Sequence, residues 1–355
     1  MNTKGTDNNK GTEGNKGNNA NKDQKSAAAD YAAYPDYSDY PEFVDPIARP
    51  RYTGLATFLR APYETDLSKV DIGLVGVPYD GGVTNRPGAR HGPREVRNQS
   101  SLLRLYNQAT GVCPHKSCRV ADIGDAWVPS PFELEASHNC IEEYFQRIVG
   151  AGVMPLAIGG DHSVSLPILR ALAGERPLAM VHIDAHCDTG DDYMGSKFHH
   201  GAPFRRAVEE ELLDPARVIQ IGIRGSVNDP AVWKFSHDSG MRVVYMEEFY
   251  TKGIDAILAE VHELIGDHAC YVSFDIDSLD PVYAPGTGTP EIGGISTLEA
   301  QLLIRGLAGL NTVGADLVEV APPFDNGGLT AMAGANLMFE LLCVLAANRT
   351  SEKKV

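Results

Sequence analysis

The sequence predicts an α/β protein: a mostly parallel sheet covered by helices on both faces. Two patterns carry that expectation. Short, continuous apolar runs rich in β-branched residues recur along the chain, and longer amphipathic stretches separate them. A strand buried on both faces needs an unbroken apolar run, whereas a half-exposed strand would alternate. Strands that take turns with helices are the mark of a parallel sheet. A third observation is negative: no repeat of 20–50 residues breaks the chain into modules.

Taken in order, residues 1–30 are rich in Asn, Gly and Lys and nearly free of bulky apolar side chains. They bury too little surface to offset chain entropy, so a disordered tail is expected. No apolar stretch follows the lysines, as a secretory signal would require. Residues 31–69 read as an extended arm that opens with a Tyr/Pro-rich stretch at 31–52, suited to lying on the domain or on a neighbouring subunit. One large domain then spans 70–350. Its strands are expected at 70–77, 153–158, 178–183, 218–223, 242–246, 271–275 and 312–320. Helices are expected near 132–150, 163–173, 202–212, 229–239, 253–266, 296–309 and 334–347.

Composition sets limits on function. The 355 residues suffice for one sizeable core, and 43% hydrophobic with 22% charged residues is ordinary for a globular domain. A net charge of −16 argues against a nucleic-acid partner, which needs clustered cations. No run of about 18 apolar residues suggests a membrane span. The six scattered cysteines do not form a disulfide framework, and Cys113 with Cys118 lacks the second pair a zinc site would need. A cytoplasmic location is the default expectation.

In parallel sheets, functional groups gather beyond the carboxyl ends of the strands. Four polar clusters stand at such ends: Asp161-His162, Asp184-Ala-His186-Cys-Asp188, Asp275-Ile-Asp277 and Glu319. The i, i+2 spacing within two of them lets their side chains face one point. Any one short acidic motif is more often an ordinary loop or cap. Four Asp together are another matter, because uncompensated like charges are strongly unfavourable. Carboxylates with imidazoles suit Mn²⁺, Zn²⁺, Ni²⁺ or Fe²⁺. Two such ions about 3.5–4 Å apart lower the pKa of a shared water, so metal-assisted hydrolysis is the reaction class implied.

The segments GGDHS (159–163), DAHCD (184–188), HG (200–201), SFDIDSLDP (273–281), PGTGTPEIGG (285–294) and EVAPPFD (319–325) resemble the ureohydrolases, the arginase/agmatinase family. The resemblance runs from about residue 50 to 347 and implies a three-layer α/β/α sandwich, arginase/deacetylase-like, with 70–350 as the catalytic domain. It also implies two divalent ions, manganese foremost and nickel second. One would be held by His162, Asp184, Asp188 and Asp275, and the other by Asp184, His186, Asp275 and Asp277. His200 would pass a proton to the leaving amine or orient the guanidinium, with Asp277 as another acid. Glu319 would pair with the guanidinium, as a carboxylate matches a two-nitrogen fork. His182 shares the parity of Asp184, but the family pattern does not use it, and a packed core histidine is expected there. Asp161 would orient His162 from behind. The family assembles as trimers or hexamers, so a homo-oligomer is expected.

The implied reaction splits a small guanidino compound into urea and an amine. The phrases at 51–60, 205–225 and 334–345 look closest to guanidinobutyrase and guanidinopropionase, with agmatinase near them. Thr84, Thr289 and Tyr193 are candidates for contacting substrate, and Met194 for lining an alkyl chain. Lys197, Arg205 and Arg86 could receive a carboxylate, although each is more often a solvated charge. A nickel-dependent guanidinase is the alternative substrate class; its relatives place an aromatic where Thr289 stands. A one-zinc deacetylase and a catalytically silent regulatory homologue are further classes. Both would lack ligands that this chain keeps.

Overall fold

The structure, a computed structural model, describes residues 50–227 and 229–352. The tail at 1–30 and residues 31–49 of the arm lie outside the described residues. Eight strands of the described residues form one sheet: β1 (Ile72–Val77), β2 (Val120–Asp125), β3 (Met154–Gly159), β4 (Leu178–Ile183), β5 (Leu213–Ile223), β6 (Arg242–Tyr245), β7 (Cys270–Asp275) and β8 (Thr312–Val318). Their spatial order is β2-β1-β3-β8-β7-β4-β5-β6. Every neighbouring pair is parallel, so the mostly parallel sheet is wholly so among the described residues.

Among the described residues ten helices accompany the sheet: α1 (Gly92–Ser100), α2 (Pro114–Ser117), α3 (Leu134–Gly150), α4 (Ser165–Leu172), α5 (Pro203–Glu209), α6 (Ala231–Ser239), α7 (Met246–Lys252), α8 (Ile254–Ile265), α9 (Thr297–Gly306) and α10 (Leu329–Glu352). Strand alternation divides the core into two. Ile72, Leu74 and Val272 face one side, with α1, α7, α8, α9 and α10. Val75, Val77 and Tyr271 face the other, with α3, α4 and α5. The result is a three-layer α/β/α sandwich. Residues 58–61, inside the stretch expected to be an arm, pack Phe58, Leu59 and Ala61 into the first core.

Local signals explain individual elements. Ser296 and Glu299 close a reciprocal capping box at the start of α9. Gly240 ends α6 in the left-handed region, where a side chain would be strained. The 21 residues Leu329–Arg349 are long and apolar enough to cross a membrane, yet 83% of their most apolar window is buried inside the domain. A helix buried all round must be apolar all round.

The strand order positions the site. The chain lays down β1 and β3 on one side, then crosses to build β4, β5 and β6 on the other. It returns with β7 and β8 between them. The four strands whose ends carry the polar clusters, β3, β8, β7 and β4, are therefore adjacent at the centre of the sheet. A reversal of direction of this kind opens a crevice at the strands' carboxyl ends.

Candidate active site

Beyond β3 the backbone passes so close to Tyr79 that a Cβ on Gly160 would lie 1.7 Å from its carbonyl oxygen. Only glycine fits there. Asp161 then caps a short 3₁₀ turn, accepting the Ser163 amide at 2.9 Å and the Gly82 amide at 2.7 Å. It braces two loops and has no hydrogen bond to the His162 ring, which sequence reasoning expected it to orient.

The partner behind His162 is Ser273 on β7. His162 Nε2 lies 2.8 Å from Ser273 Oγ, which donates onward to Asp316 Oδ1 at 2.7 Å. Asp316 also accepts from Tyr271 and Ser165. Because the serine proton goes to the carboxylate, His162 Nε2 carries a proton, and Nδ1 is the ring nitrogen turned towards the carboxylates. That nitrogen is fully buried; burial would lower the imidazole pKa, but the three carboxylates beside it hold it well above the ordinary value. It faces Asp188 Oδ2 at 2.8 Å, Asp184 Oδ2 at 3.0 Å and Asp275 Oδ2 at 3.2 Å.

A second group shares Asp184. His186 Nδ1 lies 3.1 Å from Asp277 Oδ2 and 3.4 Å from Asp184 Oδ1. Asp275 turns its other oxygen to the Asp277 amide at 2.8 Å. All six residues expected to hold metal are thus brought together, in two nests joined by one carboxylate. Asp188 and Glu319 adopt φ of 50° and 64°, the left-handed region disfavoured for side-chain-bearing residues. Strain of that kind persists where the surroundings fix it.

The electrostatics call for cations. Burial, reinforced by Asp277 and Asp184, pushes the Asp275 carboxyl well above the usual range. Burial also lifts Asp277 to about 6, with the Asp184 charge adding to the rise and His186 opposing it. Four carboxylates crowded in a buried site are unfavourable without positive charge, which protons on the two imidazoles supply here and which divalent ions would supply more strongly. The donors, carboxylate oxygens and imidazole nitrogens, fit divalent transition ions.

Beside the nests, Glu319 Oε1 accepts the His162 amide at 3.0 Å and lies 2.9 Å from His200 Nδ1. Its Oε2 is buried and has no hydrogen-bond partner. Burial alone would lower the His200 pKa, but the bond to Glu319 and its charge raise it to about 9. His200 Nε2 lies 2.9 Å from Thr84 Oγ1, so Thr84 holds this histidine. Thr289 Oγ1 donates to Asp277 Oδ2 at 3.3 Å. These two threonines, candidates for substrate contact, both hydrogen-bond site residues.

A cavity of about 300 Å³ opens onto Asp188, His200, Asp275 and Asp277. Tyr193 and Val227 line it, both within loops that the sequence offered for specificity, and so do Val232 and Trp233, which carried no sequence signal. Arg205 is instead paired with Asp191 and Glu209, while Arg86 lies over the Phe324 ring. Arg224 reaches the cavity wall, but its guanidinium donates to backbone carbonyls of Asp277, Ser278 and Glu291. It clamps the turn carrying Asp277 to the loop carrying Thr289. No sequence signal marked it, because its partners are backbone atoms from distant segments.

A three-layer sandwich with two carboxylate–imidazole nests at its central strand ends defines a binuclear metal-dependent hydrolase. Residues 70–343 match the arginase family, and the chain belongs to that family. It is 57% identical over 298 residues to a guanidinopropionase of Pseudomonas aeruginosa, covering 84% of this chain and 93% of that protein. To the mitochondrial agmatinase of Gallus gallus it is 50% identical over 305 residues, covering 86% and 89%. Among solved structures, proclavaminate amidino hydrolase from Streptomyces clavuligerus superposes with a TM-score of 0.82 at 38% identity, over 84% of this chain and all (100%) of that one. A variant of Trypanosoma cruzi formiminoglutamase, solved with Mn²⁺, gives 0.72 at 25% identity, over 79% and 94%.

Proposed function

We propose that this protein hydrolyses a small guanidino compound with a short alkyl tail, releasing urea and an amine. The observation that carries the reading is the pair of nests joined by Asp184 beside the unpaired Glu319 Oε2. His162, Asp184, Asp188 and Asp275 would hold one ion, and Asp184, His186, Asp275 and Asp277 the other. When bound, two divalent ions supply a water acidified enough to attack at neutral pH. Manganese is the first choice, supported by the oxygen-rich donor set and the Mn²⁺ in a related structure, with nickel second.

The remaining steps belong to the chain's own groups. Glu319 Oε2 accepts from the guanidinium, which places the central carbon over the nests. The water gives up one proton as its oxygen bonds to that carbon; the bond to the alkyl-bearing nitrogen breaks once that nitrogen is protonated, and the hydroxyl left on the carbon releases its proton to give urea. His200, which holds a proton at neutral pH, delivers it to the departing amine; Asp277 is the alternative donor. Tyr193, Val227, Val232 and Trp233 cover the alkyl tail and exclude water.

The identity to guanidinopropionase favours a guanidino acid such as 3-guanidinopropionate or 4-guanidinobutyrate. A second reading, a tail ending in an amine as in agmatine, draws support from Asp191 and Asp192 on the cavity wall. The apolar wall speaks against bare guanidine, which has no tail to cover. Urea release from 3-guanidinopropionate, 4-guanidinobutyrate, agmatine, arginine and guanidine, each with Mn²⁺ and with Ni²⁺, tests the proposal. A tailed compound should give the highest kcat/KM. Preference for guanidine would reassign the substrate, and no urea from any of them would end the proposal.

A further inference from the structure

His182 lies in β4 two residues before Asp184, so alternation sets both side chains on one side of the strand. The histidine is completely buried. Its Nε2 is 2.7 Å from Asp184 Oδ2, and its Nδ1 is 3.1 Å from Gln220 Nε2. Gln220 sits in β5, directly in register with His182.

The orientation of the Gln220 amide can be decided. Gln220 Nε2 is 2.6 Å from the carbonyl oxygen of Cys187, which can only accept. Reversing the amide would bring two oxygens to that distance. The NH₂ end therefore serves both Cys187 and His182, and Gln220 Oε1 is left buried without a partner. An orphaned acceptor is costly, so the arrangement is held by something worth more. With an N–H facing it, His182 Nδ1 must accept. The ring proton is then on Nε2 and is donated to Asp184 Oδ2.

The other oxygen of Asp184, Oδ1, accepts the His186 amide at 2.7 Å. Each oxygen of the shared carboxylate thus has one fixed donor. Oδ2 is turned towards the His162 nest and Oδ1 towards the His186 nest. Without the Nε2 proton, the carboxylate could rotate and give both oxygens to a single ion.

We infer that His182, oriented by Gln220, is a positioning residue that holds Asp184 across the two cation positions. This rests on the two-ion reading above. It replaces the packed core histidine that the sequence suggested with a hydrogen-bonding role one step behind the metal ligands.

Metal-free protein titrated with Mn²⁺ by calorimetry tests it. The unchanged chain should take up two ions, and the electron paramagnetic resonance spectrum should show a coupled pair. His182→Leu should weaken uptake of the second ion by about 10–100-fold and abolish the coupling. His182→Gln, whose amide nitrogen can stand near the Nε2 position, should recover much of both. If the leucine variant binds both ions as well as the unchanged chain, or better than the glutamine variant, the inference is overturned. Should the leucine variant fail to fold, ring-nitrogen NMR of the unchanged protein decides: a proton on Nε2 of His182 supports the inference and one on Nδ1 overturns it. Uptake of fewer than two ions by the unchanged chain would instead refute the two-ion reading and take this inference with it.

Discussion

At the scale of single residues, the two oxygens of Glu319 have different partners: Oε1 holds His200 and the His162 amide, while Oε2 is bare. Glu319→Gln removes the negative charge and leaves the shape. In metal-free protein, the His200 pKa should then fall from about 9 towards the ordinary value of ~6.5, followed by ring-nitrogen NMR. With ions restored, kcat/KM for urea release should drop on the order of 100-fold or more. A His200 titration that does not move would remove Glu319 as its partner. Much of this site was legible from residue type and spacing. Asp184, His186, Asp188, Asp275 and Asp277 announce themselves because carboxylates and imidazole crowd two short strand ends. Ser273, Asp316 and Gln220 were not legible. A serine, an aspartate and a glutamine inside apolar strands look like isolated polar residues until the sheet sets them beside His162 and His182.

At the scale of elements, the continuous apolar runs mark strands close to their observed bounds, since burial on both faces leaves one kind of side chain; β5 is the exception, its polar first half at 213–217 lying outside the expected 218–223. The strand β2 was missed. Its sequence VADIGD has three apolar residues and two acids, as befits the edge of the sheet. Helix α1 was also missed: GPREVRNQS offers Val96 alone as a bulky apolar contact. Capping makes a small prediction here. Ser296→Ala should cost ~1 kcal/mol in thermal or urea unfolding, because it opens the box at α9. Helix α3 makes a larger one. Its His138 binds Ser163 at 3.1 Å and lies edge-on to the rings of Tyr79 and Phe198. Burial, with a smaller contribution from Arg170, lowers its pKa to about 3. The folded value is then below the unfolded one of ~6.5, so its contribution is complete above ~6.5 and is lost as pH falls towards 3. His115 in α2, lowered to about 4 by burial, acts in the same direction. Urea midpoints should therefore fall between pH 7 and pH 5, and His138→Gln should flatten that slope. An equally steep slope in the variant would acquit His138.

At the scale of the whole molecule, the donors of the proposed cation positions come together where four strand ends meet, so ions held there would stabilise the folded chain over the unfolded one. At ion concentrations 100-fold above the dissociation constant, each site adds ~2.7 kcal/mol. Dialysis against a chelator should lower the melting midpoint, and Mn²⁺ should restore it; identical midpoints would mean that no ion is held. The same meeting of strands bears on how the protein is born. The bond between the His162 amide and Glu319 joins residues 157 positions apart, and β8 is a wedge between β3 and β7. Without that wedge β3 and β7 each lack a neighbour on one edge, and an unpaired strand edge is a template for wrong partners. A nascent chain short of residue 319 is therefore inert and sticky at once, and its last strand closes the edges in the same event that completes the catalyst.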